Sequence, residues 1–278
     1  MNTIIYVELQ KIFRKWRTYI GFIAIGVLAP IVQIALYYEG SGYVNHVTRG
    51  LQDSFFMSGN LFNGYLIGYI ILQALYIHIP FLIVLVGGDL LAGEATSGTY
   101  RMLLTRPVSR FTLVTGKFLA GAIYVFLLLA FLFLVSVVGS LLIFGTGELI
   151  TIKGKLIIFA SDDVLWRFLS AYGFAFISMT TILAVSFFFS SMVENAIGPI
   201  MGTMALIIIL LILSVIPIDA LHEARKFYFT SYMGGWDGFF TDPLEVTDIL
   251  RDAGVLLLHI FGLYGLTTYI FIKKDILS

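Results

Sequence analysis

The chain contains no cysteine and little charge: Lys+Arg 17 and Asp+Glu 17 make up 12% of 278 residues. Soluble domains carry about 25% charged residues. The missing cysteine excludes disulfides and thiolate-bound metals, and it leaves the redox compartment unmarked. The formal net charge is zero, so overall charge points to no nucleic-acid partner. Histidine is scarce too. His46, His78, His222 and His259 are scattered, and no pair has metal-ligand spacing.

Several chemical motifs are also missing. Gly116-Lys117 is followed by Phe118, and Phe111 stands where a phosphate loop needs its first glycine. His222-Glu223 has no second histidine four residues on, so a zinc-peptidase helix is excluded. No Gly-x-Ser-x-Gly elbow occurs, and there is no internal repeat. An intramembrane enzyme would need polar groups converging within the apolar runs, and few are present.

What the chain has in abundance is apolar length. Hydrophobic residues make up 59% of it. A membrane-crossing helix needs ~20 apolar residues. Six runs qualify: about 19–38, 65–90, 115–144, 168–190, 197–216 and 253–272. Lipid offers the backbone no hydrogen-bond partners, so each run must satisfy itself as a helix. The expected fold class is an all-α membrane protein of one transmembrane domain over 1–278. The basic stretch before the first run is too long for a signal peptide, and that run is expected to be retained.

Charge sets the expected orientation. Lys11, Arg14, Lys15, Arg17, Arg101, Arg106, Arg110, Lys117, Lys273 and Lys274 flank spans on the side that holds both termini. Arg49, Lys153, Lys155, Arg167, Arg225, Lys226 and Arg251 lie on the other. The first group is larger and sits in short segments near span ends, where the positive-inside rule acts most strongly. Both termini and the 91–114 and 191–196 segments are therefore expected in the cytoplasm, with 39–64, 145–167 and 217–252 outside.

Ahead of the first span, residues 3–18 place Ile5, Leu9, Ile12, Phe13, Trp16 and Ile20 at helical spacing. The pattern predicts an interfacial helix with Trp16 at headgroup depth. Outside, Ile150 to Ile158 alternates around Lys153-Gly154-Lys155, which predicts a β-hairpin. Ser161-Asp162-Asp163 reads as the start of the fourth span. The 217–252 loop is dense in aromatics, among them Phe229, Tyr232, Trp236 and Phe239. It ends in Asp242-Pro243-Leu244-Glu245, which reads as a helix start with Asp242 as N-cap.

Polar residues within spans are functional suspects. Gln33, Gln73 and His78 are candidates for a substrate path, with interhelical hydrogen bonds as the competing explanation. Asp89 is expected to face water or a basic partner. Pro80 and Gly87-Gly88 are expected to bend the second span.

After residue 60, the longest strongly polar interruption in the apolar first half is residues 93–110, GEATSGTYRMLLTRPVSR. Thr96, Ser97 or Thr99 can cap a short helix that Pro107 ends. Tyr100, Leu103 and Leu104 would share its apolar face. Glu94 gives it an acidic start, and Arg101, Arg106 and Arg110 a basic end. About ten helical residues span ~15 Å, enough for a docking surface.

The run Gly87–Gly121 resembles the cytoplasmic signature of type-two ABC transporter permeases, the exporter class. Its elements here are Glu94, Gly98-Thr99, Leu103-Leu104, Pro107 with Ser109-Arg110, and Gly116-Lys117. The nearest look-alikes are small permeases of bacterial efflux and copper-site-maturation systems. The resemblance implies a subunit of a prokaryote's cytoplasmic (inner) membrane that binds no cofactor itself. ATP and Mg would be held by two separate ABC ATPase subunits. It also implies pairing with a second copy or a related permease, among membrane lipids. Segment 93–110 would be the coupling helix, and Ser191–Asn195, with Glu194, a second contact. Phe229, Tyr232, Trp236 and Phe239 would belong to an outer gate. A membrane scaffold without transport activity is the alternative, and it would not need the coupling segment.

Overall fold

The computed structural model is described here over residues 1–52, 62–96, 98, 108–153, 155–216 and 223–274. Among the described residues the regular structure is helical apart from one two-stranded hairpin. Helix α1 (Asn2–Arg14) is joined through Lys15 to α2 (Trp16–Gln52). The second apolar run forms three consecutive helices, α3 (Gly64–Tyr76), α4 (Ile79–Gly87) and α5 (Asp89–Thr96). Next come α6 (Arg110–Phe133), a π-helical segment (Leu134–Val138) and α7 (Gly139–Phe144). Strands β1 (Leu149–Ile152) and β2 (Leu156–Phe159) lead into α8 (Ser161–Met192) and α9 (Ile197–Val215). Two 3-10 helices, Phe229–Ser231 and Met233–Phe240, precede α10 (Val246–Lys273).

Six of the described helical stretches are long and apolar enough to cross a membrane, and Gly64–Tyr76 is a shorter apolar helix. Helix α8 is the hub. It packs against α4, α5, α6, α9 and α10, and 72% of its most apolar stretch is buried. The corresponding share of α9 is only 17%, so that helix turns most of its surface outward.

Several boundaries differ from the sequence reading. Helix α2 continues to Gln52, into what reads as a loop after residue 38. The second run breaks at Ile77-His78 because Pro80 has no amide hydrogen to donate to the turn before it. It breaks again at Gly88, where the Ser190 hydroxyl of α8 takes over the bonding. Ser190 Oγ donates to Gly88 O at 2.7 Å and accepts from the Leu91 and Ala92 amides at 3.1 and 2.9 Å. Helix α10 starts at Val246 with Glu245 as its cap, rather than at Asp242. The Asp242 carbonyl instead receives the Lys155 ammonium of the hairpin.

Helix α1 also packs against the bundle. Its apolar stripe is spent on protein: Ile12 is buried, and Leu9 and Phe13 pack against the core. Tyr6 and Val7 stay exposed, as does Trp16 just beyond the helix.

The hairpin pairs antiparallel, with Leu149 opposite Phe159 and Ile152 opposite Leu156. It braces the aromatic 229–240 segment against the end of the bundle remote from the termini. Lys153 pairs with Asp237 at 2.7 Å, and Arg167 of α8 donates to Phe239 O at 2.8 Å.

Candidate functional site

The end of the bundle that carries both termini concentrates charge in an otherwise apolar molecule. Four side chains form a closed ring there. Lys117 Nζ donates to Glu8 Oε2 at 2.7 Å and to Glu94 Oε1 at 2.9 Å. Lys11 Nζ reaches the same pair, Glu8 Oε1 at 2.8 Å and Glu94 Oε1 at 2.7 Å. Two ammonium and two carboxylate groups cancel, which makes their burial tolerable. Lys117 is only 1% exposed, Glu8 4% and Glu94 9%.

The local sequence explains the ring. Glu8 and Lys11 are one helical turn apart, so they share a face of α1. Lys117 stands in the second turn of α6, opposite that face. The preceding Gly116 permits the approach, since a Cβ there would lie 2.5 Å from Ile4 Cγ2. Gly116-Lys117 thus acts as a pair: the glycine admits α1 and the lysine binds it.

Asp89 extends the cluster. It is buried at the start of α5 and pairs with Lys15 and, at 3.3 Å, with Arg17 Nη1. The basic partner expected for Asp89 is thus the joint between α1 and α2. Burial tends to lower the affinity of the Lys11 ammonium for its proton. Hydrogen bonds from it to Glu8 and Glu94, and the charges of both, outweigh that and hold its pKa above the ordinary lysine value. The cleft between these groups has a volume of about 20 Å³, room for one water.

Around the ring, a set of hydrogen bonds frames the polar segment after α5. Helix α5 stops where Gly98 turns left-handed at φ 64°, and the Gly98 amide donates to Ala95 O at 3.1 Å. The Thr96 hydroxyl donates to Ala92 O at 2.9 Å and Glu194 O at 3.1 Å. At the far side, Ser109 caps α6 by accepting from the Thr112 amide at 3.1 Å. Arg110 Nη1 then reaches Ile272 O at 2.9 Å and Lys274 O at 2.7 Å, at the last turn of α10. Lys274 in turn donates to Ser191 O at 3.3 Å.

The sequence candidates are therefore distributed as follows. Thr96, Gly98, Arg110 and Glu194 come together at this end. Thr96 closes α5 and bonds backward to the carbonyl four residues earlier, so it does not cap a new helix. Glu94 is turned inward, its carboxylate committed to two lysines, instead of forming an exposed acidic rim. Ser97, Thr99, Tyr100, Arg101, Leu104, Arg106 and Pro107 lie outside the described residues.

The suggested path residues do not converge. Gln33 is buried, and its amide donates to Val135 O at 2.8 Å and Ser140 Oγ at 3.0 Å, beside the π-helical segment. Gln73 and His78 are exposed, and His78 Nδ1 bonds the Ala74 carbonyl at 2.9 Å. The aromatics at the opposite end pack in different directions. Trp236 lies against Tyr76 and Tyr69 of α3, and Phe229 against His259 of α10. Tyr232 bonds Lys226 O at 2.7 Å, and the Phe239 carbonyl holds Arg167.

In the sequence, Lys117 has a place only among the flanking cations and in the Gly116-Lys117 element of the resemblance, and Glu8 and Ser190 have none. Glu8 did carry a signal. A carboxylate on the same helical face as Ile5, Leu9 and Ile12 demands a buried cation. Ser190 carried none, because a serine that knits a helix break looks like any other.

A multi-pass helical membrane protein with a charged, braced junction at one end is the class that fold and site define. The sequence model described as ABC-2 family transporter protein matches residues 4–210, from α1 through most of α9. The chain belongs to this family, whose members are membrane transport subunits of ABC transporters. The whole charged ring falls within the matched region, whereas the Arg110 partners on α10 lie beyond it. No curated protein matches the chain.

Proposed function

We propose that the chain is the permease subunit of an ATP-driven exporter, worked by ABC ATPases on separate chains. One observation carries the reading. The polar segment that follows α5 and the short turn at 193–196 start side by side, joined by Thr96 and the Glu194 carbonyl. Two polar turns held together at one end of an apolar bundle suit a single docking partner outside the membrane.

On this reading the terminal end faces the cytoplasm of a prokaryote, as the Lys and Arg distribution favours. Two ATPases bind per complex, and they hold the ATP and Mg. Two permease copies, or this chain and a related one, pair within the lipid. The outward-turned α9 and the exposed Gln73 and His78 are then available to a partner permease or to substrate between the two. The braced aromatic segment closes the outer end. Glu94 and Arg110 act from within: they fix the two ends of the coupling segment, whose contact residues are Ser97, Thr99, Tyr100, Arg101, Leu104, Arg106 and Pro107.

The test is co-expression of the tagged chain with the ABC ATPases of the same genome, each in turn. One of them is expected to co-purify and to hydrolyse ATP in reconstituted vesicles, and Arg101→Glu is expected to reduce its retention. A wild-type chain that retains no ATPase would overturn the proposal.

A further inference from the structure

We propose that Lys117 is a positioning residue that makes α1 part of the moving unit. Force reaching the coupling segment would then pass sideways, through the charged ring, to the α1–α2 joint. The inference rests on the functional reading above and adds a route to it.

The ring binds three elements that are distant in sequence. Glu94 stands four residues before Gly98, at the root of the coupling segment. Lys117 stands in the second turn of α6, just after that segment returns. Glu8 and Lys11 belong to α1. Because Lys117 is 1% exposed and bonds both carboxylates, α1 cannot slide away from α5 without leaving charge buried and unpaired. A second tie lies one turn along. Asp89 of α5 holds Lys15, the single residue between α1 and α2, and Arg17 at the start of α2. Displacement of α5 would therefore pull on the first turn of α2 through two charged links. Sideways, Gly116 lets Ile4 sit directly on α6, so α1 is wedged as well as bonded.

The experiment uses the permease–ATPase complex in nanodiscs. The chain has no native cysteine, so labels attach only at introduced thiols. Nitroxide labels at Tyr6→Cys and Phe111→Cys report α1 against α6, and labels at Tyr6→Cys and Leu169→Cys report α1 against the far half of α8. All three positions are exposed. Pulsed EPR distances are taken with and without ATP–vanadate.

The first distance is expected to stay constant and the second to shift on trapping. In Lys117→Met the first distribution is expected to broaden about two-fold. The shift of the second is expected to vanish while the ATPase stays bound. A disulfide between Ile4→Cys and Gly116→Cys should restore both. A Cβ at residue 116 lies 3.4 Å from Ile4 Cβ, close to the spacing that disulfides adopt. Glu8→Gln serves as the milder variant should Lys117→Met fail to fold, with the same outcome expected. If α1 moves relative to α6 on ATP–vanadate trapping in the wild type, the inference is wrong while the functional reading stands. If no ATPase is bound, the functional reading falls and this route falls with it.

Discussion

The Thr96 hydroxyl donates a hydrogen bond to the Glu194 carbonyl at 3.1 Å, across 98 residues of sequence. The same oxygen donates to Ala92 O, so one side chain closes α5 and tethers the turn between α8 and α9. Thr96→Val keeps the shape and removes both bonds. A net loss of about 1 kcal/mol is expected, since the contact is partly open to water. Thermal unfolding in detergent measures it. The sharper expectation is weaker ATPase retention, because the two docking turns would no longer be held together. Unchanged retention would show that they bind independently.

Arg110 binds carbonyls at the C-terminal end of α10, where the helix dipole is negative and the last carbonyls lack partners. Arg110→Gln is expected to cost about 1–2 kcal/mol, the range for hydrogen bonds to a charged group. Amide exchange should quicken at residues 270–274 and stay unchanged at the opposite end of α10. Uniform acceleration along α10 would instead indicate that Arg110 supports the whole helix.

Gln33 illustrates what a sequence can and cannot say about a polar residue in a span. Its polarity is visible, but its partner is not, because Val135 O is exposed to bonding only where α6 widens into a π-helical segment. Gln33→Leu is expected to lower stability by about 0.6 kcal/mol per bond lost, the average for such bonds in membranes. Transport should persist, since Gln33 is packed between helices. Complete loss of transport with normal folding would return Gln33 to the substrate path.

The same contrast runs through the molecule. Apolar runs and the alternating Ile150–Ile158 pattern mark spans and hairpin directly, because lipid and sheet each impose a period on the side chains. The cap at Asp242 was misleading. A local signal of that kind is weak, and the Lys155 contact to the Asp242 carbonyl overrides it. The charged ring was half legible. Glu94 and Gly116-Lys117 stand out in the sequence, but their partner Glu8 lies on a separate helix, so only the fold reveals that they meet.

Lys11 provides a pH test of that ring. Its folded-state pKa is raised, so the stabilisation is fully present below the unfolded lysine value of about 10.4 and is lost as pH rises through the higher folded value. Stability is therefore expected to be flat from neutral pH to about 10 as far as Lys11 is concerned, and to fall above that. Lys11→Met should be less stable at neutral pH and should show a shallower alkaline decline. Thermal unfolding of both proteins from pH 7 to 11 decides it, and parallel declines would exclude Lys11 as the group responsible.

At the opposite end, the aromatic segment hangs on Asp237. Lys153 pairs with its carboxylate and also donates to its backbone carbonyl, both at 2.7 Å, and the Tyr69 hydroxyl donates to the carboxylate at 2.9 Å. Lys153 and Asp237 are both partly exposed, so the ion pair is worth no more than about 1 kcal/mol. Removing it should therefore leave global stability almost intact while releasing the local brace. Lys153→Met is expected to shift the melting temperature by only a degree or two, yet to speed amide exchange in 233–240 several-fold. Tyr69→Phe removes the other support from within the bundle and should act on the same amides. The two supports meet at one carboxylate, so the double variant should loosen the segment by more than the sum of the singles. If instead the effects simply add, hairpin and α3 hold the segment separately, and Asp237 is not the point on which its mobility turns.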